Sequence, residues 1–146
     1  MGSGYDCLKL ENQLCFPLYA CSKEIVRRYH PVLEPLGLTY TQYITLMVLW
    51  EEGSCNVKDL GRKLYLDSGT LTPLLKSLES KGLVTRERSK QDERSVLISL
   101  TTEGWAMRDK VLIVPEKVAS CVHLEPQEAQ ELYRLLYKVL GTMADN

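Results

Sequence analysis

"NVKDLGRKLYLDSGTLTPLLKSLESKGLVTRERSKQDERSVLISL", residues 56–100, decides the fold. Asn56 is a helix cap, and Val57, Leu60 and Leu64 follow it at helical steps. Asp67 is a second cap. Leu71, Leu74, Leu75 and Leu78 then fall within about a third of the helical wheel, so that side must pack inward, and Gly82 stops the helix. Beyond it, "LVTRERS" and "SVLISL" flank a charged tip, "KQDER". Both flanks alternate as strands do, with Val96, Ile98 and Leu100 on one side and Arg86 and Arg88 on another. Two short helices across a tight turn, followed by a hairpin, predict a winged helix-turn-helix.

Working outward, "TYTQ" at 39–42 is a capping box, in which Thr39 and Gln42 each satisfy an orphan amide. Leu38 and Tyr43 stand where a hydrophobic staple would, and this helix ends near Gly53. Upstream, Leu14, Leu18, Cys21, Ile25 and Tyr29 form one face of a long helix over about Lys9 to Pro31. Pro31, Pro35 and Gly37 break its pattern. Downstream, a helix is expected from Thr101 or Thr102 to about Val122. A last one opens near Pro126, with a stripe of Leu132, Leu135, Leu136, Val139, Leu140 and Met143.

The fold class is therefore mainly α with a small β wing, a single domain over 1–146. About 39–100 is expected to be the winged core, and about 9–36 and 102–144 a dimerisation module. The terminal helices offer more apolar surface than a small winged core can cover, which points to a homodimer. A satellite core within one chain is the alternative.

The totals agree with one compact domain: 146 residues, 45% hydrophobic and 25% charged. No apolar run approaches the ~20 residues that span a bilayer, so no membrane association and a cytoplasmic location are expected. Net charge is −1, but unevenly spread. Residues 56–96 hold nine Lys/Arg against six Asp/Glu, and the rest nine against thirteen. A basic middle between acidic ends suits a module that reads DNA. The candidate face comprises Ser68, Gly69, Thr70, Thr72, Pro73, Lys76 and Ser77 on the second helix of the motif. Arg86, Arg88, Asp92 and Arg94 extend it along the hairpin. Pro73 lies where a proline costs a helix about 3 kcal/mol. Asp92 is expected to pair with Arg94 and aim its guanidinium outward. The plainer readings are a kinked surface helix and a solvated hairpin tip.

Five cysteines, Cys7, Cys15, Cys21, Cys55 and Cys121, form no paired C-x-x-C pattern. Their odd number argues against a disulfide framework, and any one of them reads first as a small buried apolar residue.

"LENQLCF" (10–16), "LTYTQYITLMVLWE" (38–51), "LYLDSGTLTPLLKSLE" (64–79) and "RSKQDERSVLISLT" (88–101) carry a resemblance. Over about Leu8 to Thr101 the chain resembles the organic-hydroperoxide-sensing repressors of the MarR family, and over its last helices it does so loosely. "DSGTLTPLLK" and "DERSV" also resemble broader thiol-based regulators of that family. The resemblance implies a dimeric winged-helix repressor that binds pseudo-palindromic double-stranded operator DNA and releases it when oxidised by organic hydroperoxide. It implies a redox role for Cys15, supported by Tyr19 and Tyr29, whose hydroxyls come from the other subunit. Cys15 and Tyr29 are fourteen residues apart, roughly 21 Å along a helix, so one helix cannot bring them together. Two first helices crossing antiparallel would.

In some members of that family a small thiol caps the oxidised cysteine. In others a cysteine late in the fifth helix forms a disulfide between subunits, a place that Cys121 matches and that makes it the favoured partner. Cys7 and Cys21 are lesser candidates, and Cys55 is assigned to a loop. Leu14, Phe16 and Leu18 give Cys15 an apolar setting suited to lipophilic peroxides. Pro17 departs from the family's pattern and is expected to loosen the turn that carries Cys15, by removing the amide that would bond to Gln13. No metal, cofactor or enzymatic turnover is expected. The rival readings are a regulator answering to a phenolic ligand, a thiol peroxidase turning over at Cys15, and a metal or small-ligand sensor using Cys121, His123 or His30.

Overall fold

The computed structural model describes residues 4–143, so the expected domain ends at 1–3 and 144–146 lie outside the described residues. After 3₁₀ turns at Asp6–Leu8 and Leu10–Asn12 come α1 (Cys15–Leu33), a 3₁₀ turn at Glu34–Leu36 and α2 (Tyr40–Glu52). Then follow β1 (Ser54–Asn56), α3 (Val57–Leu64), α4 (Ser68–Ser80), β2 (Val84–Arg88) and β3 (Val96–Leu100). The chain continues through α5 (Thr102–Lys110), α6 (Val114–Ala119) and α7 (Pro126–Met143). The strands form one antiparallel sheet in the order β1-β3-β2.

The three helices α2, α3 and α4 each start where a side chain can accept an orphan amide. Thr39 and Gln42 complete the capping box of α2. Asn56 accepts the Asp59 amide at 2.8 Å and Asp67 the Thr70 amide at 2.7 Å, which fixes the first turns of α3 and α4. The turn between α3 and α4 is closed by Tyr65 in the left-handed region at φ 56°. It also depends on Gly61, where a Cβ would stand 2.7 Å from the Leu66 carbonyl oxygen.

Leu60, Leu71, Leu75 and Leu78 meet Leu46, Leu49, Val84 and Ile98 in the core. Leu33 at the end of α1 and Val114 at the start of α6 join it. Trp50 donates its indole N–H to the Gly104 carbonyl at 2.9 Å, tying α2 to α5. The staple pair Leu38 and Tyr43 is buried.

Four expectations are corrected. The first helix does not begin at Lys9: the chain passes from there through the 3₁₀ turn at Leu10–Asn12, and α1 opens at Cys15. Pro17 therefore sits in the first turn, where its missing amide has no intrahelical acceptor to lose, and it does not loosen α1. Pro31 does not end the helix either, since α1 continues through it to Leu33. The helix expected to reach Val122 is two, separated by a turn at residues 111–113, with Pro115 in the first turn of α6.

The sheet supplies the other corrections. Cys55 is not in a loop but in β1, opposite Ile98 of β3 and buried. In β2 and β3, Arg86 faces Ile98 and Arg88 faces Val96. Directly opposed residues of an antiparallel pair share a face, so both arginines lie on the side of Val96, Ile98 and Leu100.

Candidate functional site

Helix α4 presents an exposed row of Ser68, Gly69, Thr70, Thr72, Pro73 and Lys76, while its leucines face the core. Asp67 lies just before it. The hydrogen bond from the Thr70 amide, reinforced by the Thr70 hydroxyl, holds the Asp67 carboxyl below its ordinary range. Thr72 donates its hydroxyl to the Ser68 carbonyl at 2.8 Å. Ser77 is not free on this face: its hydroxyl accepts from Gln42 Nε2 at 3.0 Å, which ties it inward to α2.

Between α3, α4 and the wing lies a groove of about 1170 Å³, walled by Ser68, Thr72, Arg86, Asp92 and Arg94 among others. Arg86 is half-buried, and Arg88 and Arg94 are exposed. The tip is ordered differently from expectation. Asp92 Oδ1 accepts the backbone amide of Arg94 at 3.0 Å, and the Asp92 carbonyl accepts the Ser95 amide at 3.0 Å. The carboxylate thus folds the turn, rather than holding the Arg94 guanidinium, because an Asp two residues ahead of an amide closes an Asx turn.

The second cluster lies on α1. Cys15 is its first residue and is exposed. Beside it Lys9, Leu10, Glu11 and Phe16 outline a shallow pocket of about 530 Å³. The apolar setting expected of Leu14, Phe16 and Leu18 is open within one chain, with Leu14 79% exposed. Tyr19 is exposed too, with Lys23 Nζ 5.7 Å from its ring centre. Tyr29 lies at the other end of the helix, packed against two tyrosines of α2. Its ring centre is 4.7 Å from that of Tyr40 and 5.9 Å from that of Tyr43. Burial, with the neighbouring phenols, pushes the Tyr29 hydroxyl above its ordinary value, and burial does the same for Tyr40. Both remain protonated donors through neutral pH.

Within one chain the structure joins Tyr29 to Tyr40 and Tyr43 but leaves Cys15 and Tyr19 at the opposite end of α1. Tyr40, and the contact of the staple residue Tyr43 with Tyr29, were not legible as parts of a site, although their three-residue spacing in α2 was visible. Cys121 is exposed in the turn after α6 rather than within a long helix, its Sγ 3.8 Å from the Lys117 carbonyl. All five cysteines are free thiols. Cys55 is the buried one, and burial, then Asp59, pushes its thiol up.

A helix pair with an outward polar second helix, backed by a three-stranded wing, defines a winged helix-turn-helix regulator. The model of the transcriptional regulator SarA/Rot family matches residues 27–111. The organic hydroperoxide resistance transcriptional regulator of Bacillus subtilis (strain 168) is 47% identical, over 98% of this chain and 97% of its own. Among solved structures, reduced AbfR bound to DNA superposes with a TM-score of 0.80 at 37% identity, covering 97% of this chain and 96% of that one. Disulfide-formed AbfR does so with 0.65 at 40%, covering 91% and 93%; AbfR is from Staphylococcus epidermidis. The chain belongs to the MarR/SarA family of winged-helix transcriptional regulators. Among the described residues no helix is long and apolar enough to cross a membrane.

Proposed function

We propose that the protein is a thiol-based repressor. As a homodimer it holds pseudo-palindromic operator DNA while Cys15 is reduced, and it releases the DNA when an organic hydroperoxide oxidises that cysteine. One observation carries this reading. Cys15 stands exposed at the opening of α1, and the half-buried phenol of Tyr29 stands about 21 Å further along the same helix, at 1.5 Å per residue, packed against Tyr40 and Tyr43 of α2. An antiparallel partner helix brings the two ends together. Neither α1, apart from Leu33, nor any part of α7 is buried within its own chain, so an apolar surface is available for that pairing.

In the dimer, Tyr29 and Tyr40 of one subunit would donate to the other subunit's Cys15, with Tyr19 adding a third hydroxyl. Donors to sulfur favour the thiolate over the thiol, and the positive end of the α1 peptide dipoles acts in the same sense. The thiolate attacks the distal oxygen of the hydroperoxide and the O–O bond breaks. The alkoxide leaves and takes a proton as an alcohol, and Cys15 becomes a sulfenic acid. The thiol of Cys121 in the partner subunit then attacks the sulfenic sulfur, forming a disulfide and releasing water. Chemistry ends there, at one oxidant per reactive thiol, until a reductant resets it.

At the other end, two copies of α4 enter successive major grooves, with Ser68, Gly69, Thr70, Thr72, Pro73 and Lys76 against base edges and phosphates. Arg94 reaches a minor groove, and Arg86 and Arg88 meet the backbone. The relatives described above support the reading, being named as a hydroperoxide resistance regulator and as DNA-bound and disulfide forms of one protein.

Intact-mass measurement after one equivalent of cumene hydroperoxide per subunit tests the mechanism. The expected product is a covalent dimer lacking two hydrogens per disulfide, which returns to single chains with dithiothreitol. A single chain gaining only oxygen, or a mixed disulfide when free cysteine is supplied, would overturn the role of Cys121, and an unchanged mass would overturn the redox reading altogether.

A further inference from the structure

Between the phenols of α1 and the reading helix lies a polar junction that the reactions above do not use. Gln42, the third residue of α2, is 4% exposed. Its Oε1 accepts the Thr39 amide at 3.1 Å and Lys81 Nζ at 2.9 Å, and its Nε2 donates to Ser77 Oγ at 3.0 Å. Lys81 Nζ donates in addition to the Gly37 carbonyl. Ser77 belongs to the last turn of α4, and Lys81 ends that helix. Gly37 and Thr39 belong to the link between α1 and α2. The trailing end of the reading helix is therefore bonded to the link through which α1 reaches the core.

The same turn of α2 carries the ring contacts. Tyr40 and Tyr43 flank Gln42 and hold Tyr29 of α1. A displacement of the Tyr29 end of α1 thus arrives at residues 37–43, and from there it has a hydrogen-bonded route into α4. The junction suits a switch for a physical reason. Gln42 is buried with both ends of its amide engaged, so a partial shift would leave a desolvated donor or acceptor unpaired. Such a network changes between whole arrangements rather than by degrees, and coupling between distant sites requires that kind of element.

We infer that Gln42 and Lys81 are positioning residues that set the angle of α4 according to the state of Cys15. The inference rests on the redox reading proposed above. Neither side chain touches DNA or the sulfur in this role: they act through Ser77 and the link at residues 37–39.

The test uses the full-length dimer and a duplex selected from a random pool by the reduced wild-type protein. Dissociation constants are measured at one salt concentration, before and after one equivalent of cumene hydroperoxide. The oxidised-to-reduced ratio of the wild type sets the scale, and a ratio of one would overturn the redox reading and this inference with it. Lys81→Met is expected to lower that ratio at least about fivefold, the small end of ordinary allosteric coupling, because oxidised protein keeps its grip. Loss of a distant positive charge, or a purely structural role, would weaken both states alike and leave the ratio unchanged. A wild-type ratio in Lys81→Met would therefore overturn the inference even where affinity falls. Gln42→Met should lower the ratio too, and the double variant no further, since the two residues act as one unit. If Gln42→Met does not fold, Lys81→Met decides alone, because that side chain lies on the surface.

Discussion

Asp92 and Arg94 are bound together through the chain rather than through their charges: the carboxylate accepts the Arg94 backbone amide at 3.0 Å. The guanidinium is left out of the turn's own bonding. Arg94→Ala should leave thermal stability almost unchanged while weakening operator binding. If the side chain neutralises one phosphate or lies in a narrow minor groove, the plot of log affinity against log salt should also lose about one unit of slope. Asp92→Ala should weaken binding as well, by loosening the turn. Filter binding across a salt series checks both, and unchanged affinity in Arg94→Ala would remove the wing from the interface.

Cys15→Ser should bind operator like the reduced wild type and ignore cumene hydroperoxide. Cys121→Ser should still be oxidised at Cys15, but it should give no covalent dimer on a non-reducing gel. Its Cys15 should pass to sulfinic acid at an excess of oxidant, because no resolving thiol arrests the ladder. Peptide mass mapping distinguishes these outcomes.

The N-cap of α4 carries a pH signature. The folded state holds the Asp67 carboxyl below its ordinary value, first through the Thr70 amide. A group depressed on folding stabilises above its unfolded pKa, about 3.9, and that contribution is lost as pH falls through the lower folded value. The melting-temperature gap between wild type and Asp67→Ala should therefore be full at pH 5–8 and narrow only in more acid solution. A gap that persists unchanged to the lowest pH would show that the carboxylate charge has no part in the cap.

Cys55 should resist iodoacetamide in the native protein at pH 8 while Cys7, exposed ahead of α1, reacts. It is shielded in β1, and its thiol is pushed up by burial, so less thiolate is present at any pH. Unfolding in guanidinium should equalise the rates. Rapid native labelling of Cys55, followed by peptide mapping, would contradict its place between α2 and β3.

What was legible in the sequence was what is settled locally. Thr39, Asn56 and Asp67 each place a side-chain oxygen within three residues of the amide it accepts, so the starts of α2, α3 and α4 could be read directly. The wing's strands were legible from their alternation, but not their shared face, since that depends on register. β1 was missed because "SCN" carries no strand pattern of its own and exists by pairing with β3, more than forty residues away. The break at residues 111–113 hid in a continuous apolar run, Val111 to Val114, which suits one long helix equally well. For the candidate site, Cys15, Tyr19 and Tyr29 came from resemblance. The tyrosine cluster and the bond from Gln42 to Ser77 are contacts between helices, and no spacing announces them.

The open flank of α7, where no side chain is buried within its own chain, would make abundance a variable of the proposed dimer. When two copies must meet to cover it, folding stability rises with protein concentration. On the proposed function, a cell that dilutes this chain would separate Cys15 from the partner's phenols before it lost the fold of α4, so scarcity and oxidant would converge on the same derepressed state.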